Sequence, residues 1–210
     1  MTSREARIEA WDRKYQGAHP RWRGPPEPGV ELPKGARVLE LGCGDGKTLR
    51  GLVGAGREVI GMDFSRKGLT SLRARSADEG EFQLVQADGS HLPFAPESFG
   101  VIVAHHFFEH FKAMERKEAA AETVRVLCLN GMLYLRVFSS KDMRAGKGSL
   151  IEPSTFMREG IPYHYFEEDE LHPLFRGLTL ESIRTEISEK RFFGEPKKRA
   201  VIVASLRKSL

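Results

Sequence analysis

Three closely spaced glycines, two acids that end apolar runs, and a cluster of histidines are the residues whose types and spacing could do chemistry. The glycines lie in 38–48, VLELGCGDGKT, where Gly42, Gly44 and Gly46 follow a short apolar run. Glycines at the carboxyl end of a strand let the chain turn tightly and let a ligand lie against bare backbone. Gly46-Lys47-Thr48 supplies the last three positions of a phosphate-cradling loop, G-x-x-x-x-G-K-[ST], but the first position is Leu41. The run at 98–104 leads into His105 and His106, not into the carboxylate such a loop needs beside magnesium. Gly42 and Gly44 open the dinucleotide rule G-x-G-x-x-G, yet its third position is Lys47, where helix–strand packing asks for glycine or alanine. What fits in full is E-x-G-x-G-x-G, with Glu40 as the acid.

A loop of that form suits S-adenosylmethionine. This molecule has no pyrophosphate to cradle, and its methionine ammonium makes a carboxylate at Glu40 tolerable. Downstream, VIGMD at 59–63 ends on Asp63, a carboxylate able to accept from both hydroxyls of a ribose. A nicotinamide-dependent dehydrogenase shares that acid. It does not ordinarily share Gln86-Ala87-Asp88-Gly89, then His91-Leu92-Pro93-Phe94, then SFGVIVA at 98–104. In this order and spacing the blocks resemble the class I S-adenosylmethionine-dependent methyltransferases. In that superfamily LELGCGxG, a strand ending in D-x-S, and xxADxxxLPFxxxSFDxV recur across the first four strands. The resemblance covers about 35–138. It departs from the pattern at Gly100, where an aspartate is usual; the change touches a local hydrogen bond and spares the cofactor residues.

The resemblance implies roles residue by residue. The backbone at Gly42, Cys43 and Gly44, with Glu40 beside it, lines the methionine portion, Asp63 takes the ribose hydroxyls, and Phe64 lies against adenine. Asp88 accepts from the adenine amino group, the Gly89 backbone meets a ring nitrogen, and His105 sits near the sulfonium. Trp11 and Tyr15 share one helix face and are similar to a W-x-x-x-Y pair that caps the cofactor in small-molecule members, with Tyr15 as the cofactor contact. His105 to Phe111 resembles the V-L-E-H segment found after the fourth strand in many small-molecule methyltransferases, which makes His106 and His110 candidate catalytic bases; His110 could equally pack against the following helix. Lys141, Arg144 and His164 are candidate contacts for an anionic small-molecule acceptor, in a block that resembles tellurite-resistance-type and related methyltransferases. Cys43 reads as a small buried filler, not a reactive thiol. Arg136, inside an apolar run, must pair with a carboxylate or face the site.

The elements that must position these residues alternate. Helix is expected over 5–15, and the prolines and glycines of 17–35 forbid regular structure. Strands are expected at 38–41, 58–62, 81–86, 98–104 and 132–138. Helices are expected at 47–53, 65–76 with Ser65 as N-cap, and 113–127. A long polar stretch at 139–163 follows, then a helix at 167–175 and two β-like runs at 178–188 and 199–207 that pair antiparallel. Repeated strand–helix order calls for a doubly wound, mostly parallel sheet. The resemblance implies seven strands, one of them antiparallel. The organisation is then 1–34 as a helix and Pro/Gly-rich lead-in over the cofactor site, and 35–210 as one methyltransferase domain, with 139–166 as an acceptor lid.

With 210 residues and 40% hydrophobic, one core is expected. A net charge of +4 favours anionic partners without demanding nucleic acid. Two cysteines, no N-terminal apolar signal and no apolar run of roughly 18 residues fit a soluble, cytoplasmic protein. Scattered histidines argue against a metal. Three rivals remain: an RNA or protein methyltransferase, weakened by the lack of N/D-P-P-Y where His105-His106-Phe107-Phe108 stands; a non-catalytic S-adenosylmethionine-binding partner subunit; and a nicotinamide oxidoreductase.

Overall fold

The computed structural model describes residues 3–16, 32–76, 81–192 and 195–209. Its centre is β1 (Arg37–Leu41), paired in parallel with β2 (Glu58–Asp63) on one side and β4 (Phe99–His105) on the other. β3 (Gln83–Gln86) extends the sheet beyond β2, and β5 (Leu127–Phe138) lies beyond β4. The chain then closes the far edge with a hairpin of β9 (Leu178–Phe192) and β10 (Glu195–Lys208). The sheet order is β3-β2-β1-β4-β5-β10-β9, and only β10 runs against its neighbours.

Side-chain alternation explains how both faces are covered. Val38, Val59, Val101 and Val103 point to one face, where Leu49 and Leu52 of α2 (Leu49–Leu52) and Leu69 and Leu72 of α3 (Arg66–Arg75) pack on them. Leu39, Leu41, Ile60, Met62 and Ile102 point to the other, against Ala119, Ala120 and Val126 of α4 (Ala113–Val126) and Leu171 of α5 (Leu171–Leu174). Strands buried on both sides read as near-continuous apolar runs, as β1 and β4 do. Ser65 caps α3 as expected: its hydroxyl accepts from the Gly68 amide at 3.1 Å. Arg136 pairs with Glu186 at 2.6 Å, across the strand between them.

Three expectations need correction. The helix at 47–53 shrinks to the single turn of α2. β5 starts at Leu127, directly after α4, and absorbs the Asn130-Gly131 pair into a kink where its register with β4 shifts between Phe99 and Val101. A β-carbon on Gly131 would crowd the Cys128 and Gly100 carbonyls, so glycine is required there. The stretch 139–163 is not a plain loop: β6 (Ser149–Glu152), β7 (Thr155–Arg158) and β8 (Ile161–His164) form an antiparallel three-stranded sheet. α1 (Ser3–Lys14) packs against α3 and β8. The Pro/Gly-rich segment 17–31 lies outside the described residues. None of the described helices is long and apolar enough to cross a membrane.

Candidate active site

At the carboxyl ends of β1 and β2 the chain builds a backbone cradle. The Gly42 and Cys43 amides donate to the Met62 carbonyl at 2.8 and 3.0 Å, which fixes the start of the glycine turn against β2. Gly42 and Gly44 adopt φ of +73° and +52°, the left-handed region that favours glycine. A β-carbon on Gly44 would collide with the Tyr15 hydroxyl, and one on Gly42 would press into the Phe107 ring. Phe107 also abuts Gly89, so one ring touches both the first and the third strand tip. Glu40, Gly42, Cys43, Gly44, Asp63 and Phe64 thus meet at one end of the sheet, with Tyr15, in the turn just after α1, against Gly44.

Asp63 ties the turn together, accepting from the Gly44 amide at 2.9 Å and the Ser65 amide at 2.8 Å. Burial pushes its carboxyl up to about 6, against the pull of those amides. Glu40, 3% exposed, is pushed further, to about 8, by burial and by the Asp63 charge. Its Oε2 has no hydrogen-bond partner among the described residues. Burial and the nearby Asp63 and Glu40 push the Cys43 thiol well above its ordinary value, which makes it an inert filler.

Asp88 follows β3 and holds its own turn through the Ser90 amide and hydroxyl. Burial pushes its carboxyl up, but those donors and the Arg4 guanidinium, at 2.5 Å, outweigh it and hold it below the ordinary value. α1 covers the ends of β2 and β3: Arg4 reaches Asp88, Arg7 lies 5.7 Å from the Phe64 ring centre and pairs with Glu115, and Asp12 accepts from the Ser65 hydroxyl. Spacing alone gave no signal for Arg4, Arg7 or Asp12, because their partners lie far away in sequence.

His105, the last residue of β4, is half-buried; burial, then His106, Arg136 and Lys47, push it down to about 3, so it is neutral. His106 turns out of the strand at φ +56° and places Nδ1 2.8 Å from Glu109 Oε1. His110 meets the Pro162 carbonyl through Nδ1 at 3.1 Å; a carbonyl only accepts, so Nδ1 carries the proton. Burial pushes His110 down to about 4, despite the opposing pull of Glu109 and that carbonyl. Its ring sits edge-on to Trp11 and Tyr163, at 4.8 and 4.9 Å.

The acceptor-side expectations change most. His164 is 3% exposed and spends both ring nitrogens, on the Thr155 hydroxyl at 2.8 Å and Glu170 at 3.0 Å. It anchors the small sheet and has no nitrogen left for an acceptor. Arg144 pairs with Asp142 at 2.7 Å and lies 4.1 Å over the Phe138 ring. Lys141 is exposed. In their place stand Phe138, Tyr163 and Tyr165, near-parallel rings with Phe138 6.4 Å from Tyr163 and 6.0 Å from Tyr165. Arg158 sits 3.9 Å over Tyr163. The Tyr165 hydroxyl and Arg158 Nε are buried without a hydrogen-bond partner among the described residues. Among those residues, no group of three or more His, Cys, Asp or Glu is placed to hold a metal.

The family described as a methyltransferase domain matches residues 39–135, which span β1 through most of β5. Those residues, somewhat less than half of the chain, are similar to methyltransferase domains. A solved S-adenosylmethionine-dependent methyltransferase from Methanosarcina mazei superposes with a TM-score of 0.72 at 24% identity, covering 85% of this chain and 95% of that one, and so shares the class I fold. A 2-phytyl-1,4-naphtoquinone methyltransferase of Thermosynechococcus vestitus is 32% identical over 59% of this chain and 55% of its own. A tRNA N(3)-cytidine methyltransferase of Danio rerio is 24% identical over 73% of this chain and 47% of its own. The chain spans about half the length of the curated relatives it matches.

The likeness to methyltransferase domains implies S-adenosylmethionine as cofactor, and the residues present fit that molecule. Bare glycine backbone accommodates the methionyl chain, and the orphaned Glu40 oxygen beside it suits an ammonium. A carboxylate has about four acceptor sites, so Asp63, with two used by amides, retains capacity for ribose hydroxyls.

Proposed function

We propose that this chain is an S-adenosylmethionine-dependent methyltransferase whose acceptor is a small, flat aromatic molecule bearing an anionic or readily ionised oxygen. S-adenosylmethionine supplies a methyl group on a sulfonium, open to attack in line with the departing thioether. The glycine turn, Asp63 and Asp88 bind and orient that donor, and orientation alone contributes about 7–11 kcal/mol in favourable cases. α1 closes over the donor and excludes water.

The observation that carries the acceptor half is the ring cluster at the tip of β5. Phe138, Tyr163 and Tyr165 are buried and form an aromatic wall on which Arg144 and Arg158 already stack, so an aryl acceptor would be received at its edge, where these cations and the unpartnered Tyr165 hydroxyl offer charge and a hydrogen bond to its oxygen. The naphthoquinone in the name of the Thermosynechococcus relative is likewise a flat ring system bearing oxygens, which supports a flat cyclic acceptor over a polynucleotide. Lys141, exposed near Arg144, adds positive charge at the approach.

Calorimetry with S-adenosylmethionine, followed by transfer of a labelled methyl group to a panel of hydroquinones and naphthols, tests the proposal. Cofactor binding with label on an aryl acceptor is expected. Label passing to bulk tRNA and not to the aryl panel overturns the acceptor class. Tight cofactor binding with no transfer to either favours a partner subunit, and binding of NADH in place of S-adenosylmethionine overturns the whole reading.

A further inference from the structure

Glu109 is fully buried in the short 3-10 turn Phe108–His110 that follows β4. Burying a carboxylate costs several kcal/mol unless partners repay it. Here one oxygen meets His106 Nδ1 at 2.8 Å and the other has no hydrogen-bond partner among the described residues. The carboxylate's hydrogen bond goes to this imidazole, with the Arg116 guanidinium as a further nearby charge. That imidazole belongs to a residue with φ +56°, a strained conformation for a non-glycine residue, and its side chain remains 39% exposed. A carboxylate accepting from Nδ1 fixes the tautomer and leaves the lone pair on Nε2, the nitrogen turned away from Glu109. The ring packs on Phe138 at 4.6 Å, so this basic nitrogen belongs to the aromatic cluster to which the acceptor has been assigned.

Resting on that assignment, we propose that His106 is the general base of the methyl transfer and Glu109 its positioning residue, and that the acceptor is an aromatic hydroxyl. His106 Nε2 takes the hydroxyl proton. The freed oxygen pair forms the bond to the methyl carbon, and the carbon–sulfur pair stays on sulfur, so the by-product is neutral S-adenosylhomocysteine. The imidazolium is held by the Glu109 carboxylate and returns its proton to water through its exposed edge. Other charged or titratable groups around the pair are His105 and His110 beside it in the chain, Arg116 of α4 facing Glu109, and Lys14 of α1 near His110. Neither neighbouring histidine competes as base: burial makes both weaker bases than an ordinary imidazole, and the His110 ring is packed against Trp11 and Tyr163.

The test uses 4-nitrocatechol, whose absorbance reports its ionisation, titrated over pH on the full chain saturated with S-adenosylhomocysteine. In the wild type the bound chromophore should ionise about tenfold more readily than free in solution. His106→Asn should abolish that shift, Glu109→Gln should remove most of it, and Glu109→Asp should restore part. Equal ionisation in wild type and Glu109→Gln, with both binding S-adenosylhomocysteine, overturns the dyad, as does failure of nitrocatechol to bind the saturated wild type. Should S-adenosylhomocysteine itself not bind the wild type, it is the proposed function that fails. His106→Asn alters an exposed side chain, so it keeps the test decisive if the buried Glu109 variants misfold.

Discussion

Glu40 is a carboxyl held where ionisation is expensive: it is buried, beside Asp63, with one oxygen unpartnered. Its folded value, about 8, stands above its ordinary 4.5, so the folded chain binds more protons than the unfolded one between those limits. Stability contributed this way is full below the ordinary value and falls as pH rises towards about 8, by about 1.4 kcal/mol per unit. Asp63, raised to about 6, acts in the same direction over a lower window. Glu40→Gln keeps the shape and removes the ionisation. Its melting temperature should exceed that of the wild type by a margin that widens from about pH 5 to about pH 8. A constant margin in thermal scans would show that Glu40 is solvated or paired. The position of Glu40 in the loop was legible in the sequence, since its spacing to the glycines is local. Its cost was not, because that depends on Asp63 arriving from another strand. Glu109 shows the same limit. It stands three residues after His106, but the contact depends on the left-handed turn of the chain at His106 ahead of the Phe108–His110 turn.

α1 was expected as a helix over the cofactor site, but its polar contacts were not legible in the sequence. It bridges both halves of the site, with Arg4 on Asp88 at one end and Lys14 against the Tyr163 hydroxyl and Glu159 at the other. Arg4 occupies the acid assigned to the adenine amino group, so donor binding must displace or share that contact. The Arg4 side chain is 58% exposed, and such a pair contributes about 0–1 kcal/mol to stability. Arg4→Ala should therefore leave the melting temperature nearly unchanged and tighten S-adenosylhomocysteine binding several-fold in calorimetry; weakened binding would show that Arg4 contacts the ligand itself. Elements built from local periodicity, such as β1, β4 and α4, read correctly from the sequence to within a few residues. The three-stranded sheet did not. Its strands are short, and Gly148, Pro153, Gly160 and Pro162 sit between or within them, which masks any period-two pattern. His164 read as a candidate acceptor contact for the same reason, whereas pairing of β7 with β8 buries it against Thr155.

At the scale of the whole molecule, topology decides where ligands gather. β1 connects outward to β2 and β3 on one side, while β4 and β5 lie on the other, so the crevice at its carboxyl end is a switch point of an open sheet. Every residue assigned to the donor sits at that end, which explains why a sequence motif at β1 and acids after β2 and β3 could be read together before any contact was known. The assignment has a thermodynamic consequence. A ligand present at about 100 times its Kd stabilises the native state by about 2.7 kcal/mol, which for a domain of this size raises Tm by roughly 5–10 °C. S-adenosylhomocysteine should produce such a shift and NADH should not. Asp63→Asn keeps an oxygen to accept from the Gly44 or Ser65 amide, so the sheet end should hold, yet it removes the charge and half of the acceptor capacity meant for the ribose. The variant should melt as a folded protein while losing most of the ligand-induced rise. A full rise in Asp63→Asn would mean that the ribose is held elsewhere, and the donor would have to be moved away from the tip of β2.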